Sequence, residues 1–433
     1  MRLSRLPSWL VVGACALTLT TTVSAQSVPA VATPDVTALR SIEDQVARIR
    51  GLEPLAAPSV QLLDHQSLRS FLVDQFERNY LPSERESDQK QLVALGLLEP
   101  TQDLVQIELN LLTDQVVGVY DSDVKSLFVV ADHSGFGPAE RITYAHEFSH
   151  ALQDQHFDLN RIAPKHPESN DRSLAAHALI EGDAILLQTV WAQRNLSQDE
   201  LQQLAHAAAG SDDSLTQVPL IVRSELLFPY VDGFSFVRQI YRQAGDSFAA
   251  VDGLLAKPPE STAQVLHVDK YRNQVHPAAL ALPDLAALLG SEWRTVGSGV
   301  LGELDTRVLL EQWGSPHTEA ARVTSGWSGD RWQLVEKDGR SAIVLKSTWE
   351  TPAAAADFFD AYGGGLRRRF DPAQVEESSD DRQALTTPDA ATDLRLQGSE
   401  VLAVIAFDRE SANTIMGAFT SSAPSAPSPP SAP

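Results

Sequence analysis

The stretch YAHEFSHALQDQHFDL, Tyr144 to Leu159, carries three histidines and a glutamate, and a helix there would bring His146, Glu147 and His150 together. On a helix, positions i and i+4 stand about 40° apart, so His146 and His150 would aim both imidazoles at one point with Glu147 beside them. A helix start is written just upstream. Gly137-Pro138 puts proline at the first helical position, and Glu140 puts an acid in the first turn. The expected helix runs from about Pro138 to beyond Gln155. H-E-x-x-H on a helix is the pattern that holds one tetrahedral zinc ion, with the glutamate as a general base. Such a site requires a third protein ligand, so the motif also constrains which other element must pack here.

Two residues compete for that place. His156 gives the spacing H-E-x-x-H-x-x-x-x-x-H, but Gln153 stands where the turning glycine of that longer pattern would be. Without the glycine the helix continues, and His156 lies about 15 Å along the axis from His146. Glu181 lies in SLAAHALIEGDAILLQTVWAQR, a second helical segment expected from about Ser173 to Arg194. There it shares a stripe with His177, Leu174, Ala178, Ala184, Ile185 and Gln188. A carboxylate on a mostly apolar stripe is costly to bury unless paired or metal-bound. Gly182 weakens this helix by about 1 kcal/mol relative to alanine, which makes sense if another backbone must come close. The balance favours Glu181.

The rest of the chain bounds the setting. A net charge of −23 argues against nucleic acid, which needs clustered Lys and Arg. The N-terminus reads as a secretory signal over 1–25, with Arg2 and Arg5 before an apolar run and Val23-Ser24-Ala25 before Gln26. The sole cysteine, Cys15, falls inside it; a lipid anchor there is the alternative to a secreted or periplasmic chain, and no disulfide framework is available. No later segment has the roughly 20 apolar residues of a membrane span. Oligomeric state leaves no trace in the sequence.

Helical spacing fills much of 26–114, where PSERESDQKQ reads as a loop. QVVGVYDSDVKSLFVVAD then reads as a hairpin, Val116 to Val130, turning at Asp121-Ser122-Asp123. Past Gly290 the character changes. RWQLVEKDGRSAIVLKSTW is a hairpin with an Asp338-Gly339 turn, followed by a helix over about Pro352 to Arg368, and LRLQGSEVLAVIAFD repeats the order. The expectation is an α+β chain: a mainly helical core over 115–285, a smaller α+β domain over 290–420 with a four-stranded antiparallel sheet, and a Pro/Ala/Ser tail at 421–433 that can bury nothing. Trp327 and Trp332 in GWSGDRW read as core residues in preference to a binding surface.

HEFSH with a downstream EGDA on a second helix resembles the gluzincin metallopeptidases, and HALQDQHFDL with ALIEGDA is similar to a group of exported bacterial metallopeptidase-like proteins. The similarity extends, less specifically, from about Gln115 to Tyr271, including FPYVDGFSFV and PPESTAQVLH. It implies a zincin-like fold with an edge hairpin over the motif helix, Zn2+ on His146, His150 and Glu181, Glu147 as the general base, and a peptide or protein substrate. It also implies an oxyanion donor beyond the second helix, for which His267, Tyr271 and Tyr230 are the candidates. Asp154, one turn past His150, is a candidate to orient that histidine. The competing readings are a non-catalytic envelope protein braced by zinc and a hydrolase acting on an amide other than a peptide.

Overall fold

The computed structural model describes residues 11–12, 36–115, 118–130, 136–164, 169–209 and 214–420. Of the expected export signal only Val11–Val12 fall among these; Cys15, the expected cleavage site and the 421–433 tail lie outside the described residues. The chain is α+β and divides into two units. The first comprises Met1–Arg85, Leu98–His276 and Gly302–Asp305, the second Glu86–Leu97, Pro277–Leu301 and Thr306–Pro433. No helix among the described residues is long and apolar enough to cross a membrane.

Along the chain come β1 (Val11–Val12), α1 (Val36–Arg50), β2 (Ser59–Leu63), α2 (His65–Asn79), α3 (Pro82–Ala94), α4 (Leu104–Gln115), β3 (Gly118–Asp121) and β4 (Ser126–Val130). Next are α5 (Pro138–Phe157), α6 (Leu159–Ile162), α7 (Asn170–Asn195), α8 (Gln198–Ala209) and α9 (Leu220–Phe228). A π-helical turn (Pro229–Gly233) leads into α10 (Phe234–Gln243), and α11 (Phe248–Ala256), α12 (Thr262–Leu266) and α13 (Val268–Arg272) follow. The polar run expected as a loop is instead α3. Its residues are good helix formers, the Leu81 carbonyl accepts from the Glu84 and Arg85 amides, and the Glu84 side chain reaches back to the Leu81 amide at 3.1 Å. Asp88 and Gln91 are buried, so polarity here marks a buried face of the helix.

In the first unit β3 and β4 form the expected hairpin within a small sheet of order β1-β3-β4-β2. Its turn is closed by Asp121, whose carboxylate accepts from the Asp123 amide at 2.8 Å and the Val124 amide at 3.2 Å. The hairpin is fastened to α5 through Asp154, which takes the Tyr120 hydroxyl at 2.7 Å and the Lys125 ammonium on the same carboxylate oxygen. Burial and this hydrogen bond push the Tyr120 hydroxyl pKa well up, so it stays a donor. On the other edge of β3, Val11 and Val12 pair antiparallel with Tyr120 and Val119.

α7 starts under a Ser169 cap that accepts from the Arg172 amide, and it is buried around most of its circumference. Leu174, Leu179, Ile180 and Leu187 are each at most 1% exposed, and each contributes roughly 1.5–3 kcal/mol by burial. The helix lies against the π-helical turn at backbone distance. A Cβ on Gly182 would sit 2.3 Å from the Gly233 carbonyl oxygen, and one on Gly233 would sit 2.2 Å from that of Ala178. The two glycines are what allow the approach.

In the second unit, α14 (Leu285–Leu289), β5 (Arg294–Gly299), α15 (Gly302–Gln312), which begins in the first unit, and α16 (His317–Thr324) precede a two-faced sheet. It is built from β6 (Trp327–Lys337), β7 (Arg340–Trp349), β8 (Gln374–Ser378), β9 (Arg382–Thr386), β10 (Ala391–Gln397) and β11 (Glu400–Ala406), with α17 (Pro352–Arg369) and α18 (Arg409–Thr420). The sheet has seven strands, order β5-β6-β7-β11-β10-β9-β8, not four. The two central hairpins are the expected ones, and Asp338 and Gly339 turn with φ of 50° and 73°. Ala342, Val344, Val404 and Ala406 pack with Ile415 and Met416 of α18. Trp349 is on the opposite face of β7 by alternation, where its ring stacks on Phe358 of α17 at 4.4 Å. Trp327 and Trp332 are 2% and 3% exposed, which makes them core.

The contact between α7 and the π-helical turn has a direct test. Gly182→Ala is expected to lower the thermal unfolding midpoint, because overlap with backbone costs about 1–3 kcal/mol and outweighs the roughly 1 kcal/mol helix preference for alanine. Gly253→Ala in α11, where an added methyl meets nothing within 4 Å, is expected to raise it. A rise for both would remove the close approach.

Candidate metal centre

α5 runs unbroken from Pro138 to Phe157 and so keeps His146 and His150 one turn apart on the side facing α7. Their Nε2 atoms are 3.0 Å apart. Glu181 Oε2, from α7, lies 3.3 Å from His146 Nε2 and 3.8 Å from His150 Nε2. A tetrahedral ion with ligands at 2.0–2.1 Å spaces its donor atoms about 3.3 Å apart, so the three donors surround a position of the right size. Among the described residues this is the one group of three or more His, Cys, Asp or Glu side chains so arranged. The residues fit a metal ion.

Burial sets the electrostatics. His146, His150 and Glu181 are 2%, 0% and 3% exposed. Desolvation lowers the His146 pKa, opposed by Glu147 and by Gln188. It lowers that of His150 well below the usual range, reinforced by His146 and opposed by Gln153. Desolvation also raises Glu181 well above the carboxylate range, opposed by a hydrogen bond from Tyr230. Without a cation the group therefore favours neutral imidazoles and a protonated acid. A divalent ion reverses the demand on the carboxyl, because it stabilises the charged form that burial penalises.

Glu147 is 0% exposed and contributes no atom to the three-donor group. Its carboxylate lies under β3: a Cβ on Gly118 would meet Glu147 Cγ at 3.2 Å and Oε1 at 3.5 Å. The hairpin thus crosses above the acid that the motif offers as a base.

The remaining candidates separate. His156 is remote from the cluster on the continuing helix and contacts the Glu53 carbonyl at 2.8 Å. His267 Nε2 is with Glu303 Oε1 at 2.7 Å, and the Tyr271 hydroxyl donates to the Lys257 carbonyl at 2.7 Å. Tyr230 alone of the three donor candidates reaches the cluster, carried there by the π-helical turn that Gly182 and Gly233 admit. π-turns recur at functional sites. Asp154 does not orient His150; it holds the hairpin. The partner of His150 Nδ1 is Gln153 Oε1 at 2.8 Å. In the sequence Gln153 stands out only as the residue in place of a glycine, and nothing in a helical glutamine marks it as a histidine partner. Its spacing of three from His150 was the available signal.

Residues 291–416 match a domain of unknown function, DUF8575. The match covers the sheet of the second unit and none of the cluster residues. No curated protein and no solved structure matches the chain.

The electrostatics give a pH signature. In the metal-free protein, folded Glu181 keeps its proton above the ordinary carboxylate value of 4.5, so stability falls as pH rises through that window. The depressed histidines instead lose stability for the fold as pH falls below 6.5. Only the first cost is relieved by a cation. The rise in unfolding midpoint on adding a divalent metal should therefore be larger at pH 8 than at pH 5.5, measured by calorimetry on the same preparation. A pH-independent rise would contradict the assignment of Glu181.

Proposed function

We propose that the chain is an exported zinc-dependent peptidase, with His146, His150 and Glu181 as the ligands and Glu147 as the general base. The observation that carries the reading is the position of Glu147: beside His146, outside the donor group, and beneath β3. Two nitrogens and a carboxylate suit zinc, and three protein donors leave a fourth position open. Zinc held there would supply Lewis-acid polarisation and water of lowered pKa.

The chain's own groups do the rest. The edge of β3 that pairs antiparallel with Val11–Val12 is the one an extended substrate segment would take once the expected signal over 1–25 is removed; a substrate strand bound there lies over Glu147. Glu147 accepts the proton of the attacking water and passes it to the leaving amine. Its buried setting keeps that proton in the site. Tyr230, next to Glu181, is the donor at hand for the oxygen on which negative charge develops.

Near-complete burial of the four side chains favours a second reading, in which the metal only braces α5 against α7. The two separate on chemistry. In the first, the purified protein carries one zinc by mass spectrometry, His156→Ala keeps it and Glu181→Ala loses it. Glu147→Gln keeps zinc yet lowers hydrolysis of a quenched-fluorescent peptide library by roughly 10²–10⁴-fold. Zinc that raises the unfolding midpoint while no peptide or non-peptide amide is cleaved would establish the brace, and cleavage confined to non-peptide amides would change the substrate class.

A further inference from the structure

We infer that Gln153 is a positioning residue that fixes the tautomer of His150, and that Asp183 and Arg50 fix Gln153 in turn. The inference rests on the metal reading above for its purpose, and on hydrogen-bond chemistry for its substance.

The orientation of the Gln153 amide follows from what surrounds it. One end lies 3.0 Å from the Ile180 carbonyl oxygen and 2.9 Å from Asp183 Oδ2. The Ile180 carbonyl can only accept, so the NH2 end must be there, and its second hydrogen goes to the carboxylate that Arg50 pairs with. The carbonyl end, Oε1, then faces His150 Nδ1 at 2.8 Å, and Nδ1 must donate. A neutral imidazole has one N–H. Nε2 of His150 is left with its lone pair facing His146 and Glu181, which is the form a metal requires.

Asp183 is what prevents the amide from inverting, and it is itself held. Arg50 Nη2 reaches Asp183 Oδ2 at 3.2 Å and Arg50 Nη1 reaches Asp252 Oδ1 at 2.6 Å, with the guanidinium 5.1 Å from the Phe248 ring centroid. Arg50 and Asp183 are 3% and 1% exposed. A buried ion pair of this kind is weak evidence of stabilisation in itself; here it holds a carboxylate against the Gln153 amide. The chain Asp252, Arg50, Asp183, Gln153, His150 joins α11, α1, α7 and α5 to one ring nitrogen. It also explains why the residue is glutamine. A glutamate at 153 would set a second carboxylate against Asp183 and the Ile180 carbonyl.

The test uses the full chain, zinc competition against a chromophoric chelator, and 15N spectra of the metal-free histidines. Gln153→Ala and the near-isosteric Gln153→Met should weaken zinc binding 10–100-fold and lose the Nδ1-protonated signature of His150, while His156→Ala changes neither. If Gln153→Ala does not fold, Gln153→Met and Asp183→Asn read the same two quantities. Wild-type zinc affinity and an unchanged tautomer in a folded Gln153 variant would overturn the inference. Should the wild type bind no zinc, the metal reading falls, and the tautomer alone decides: Nδ1-protonated in the wild type and not in Gln153→Met upholds positioning, and no difference overturns it.

Discussion

Two imidazoles and a carboxylate share one spot from which water is excluded, and the first unit is organised around answering their charge. Desolvation opposes ionisation of each ligand separately, while a cation at their centre would stabilise the charged carboxylate and be stabilised by it. Meeting that demand requires α5 and α7 to keep a fixed separation along their contact. On another side of α7, Gly182 and Gly233 let the π-helical turn lie backbone to backbone, which brings the Tyr230 hydroxyl to Glu181. The steric requirement for glycine and the electrostatic requirement for a donor are met by one short segment.

What was legible in the sequence was whatever one periodicity could encode. HEFSH and ALIEGDA announce a helix pair because their ligands are spaced by helical turns, and Gly182 betrays a close neighbour because glycine is costly in a helix. The hairpins at Asp121 and at Asp338-Gly339 were marked by turn chemistry. The missed elements lacked such marks. α3 is polar on the face it buries, so composition mimicked a loop. β8 reads QVEES, mostly exposed at a sheet edge, and β5 reads RTVGSG with a bulge in its pairing, so neither shows clean alternation. The partners of Gln153 and Asp154 were hidden for a different reason. Gln153–Asp183 and Asp154–Tyr120 are tertiary pairs, and no spacing within one element reveals which of two adjacent polar residues turns toward which neighbour.

The second unit poses the opposite case. Its sheet is covered on both faces by α17 and α18 and Trp327, Trp332 and Trp349 are core, so the segment that matches a domain of unknown function presents no cluster of comparable chemistry among its described residues. The second unit buries charge too, but pairs it, as Asp393 is paired with Arg382 and Arg395; the buried His146, His150 and Glu181 of the first unit instead converge on one point, and buried titratable groups so clustered are candidates for function.

The C-terminal half of α5 ties these threads together. His150, Gln153 and Asp154 fall on one turn, and each is held by a different neighbour: His150 by the cluster, Gln153 by α7, Asp154 by the β3–β4 hairpin. The distance from the β3 edge to the ligand atoms is therefore set inside a single rigid turn. This makes an uninterrupted helix through Gln153 a condition of the site. A glycine there would free the chain to swing His156 inward, but it would remove the acceptor on His150 Nδ1 and loosen the turn that carries Asp154. The chain can orient its second histidine and seat its hairpin, or it can recruit a third histidine from the same segment. With Gln153 in place it does the former, and the third donor of the cluster comes from α7.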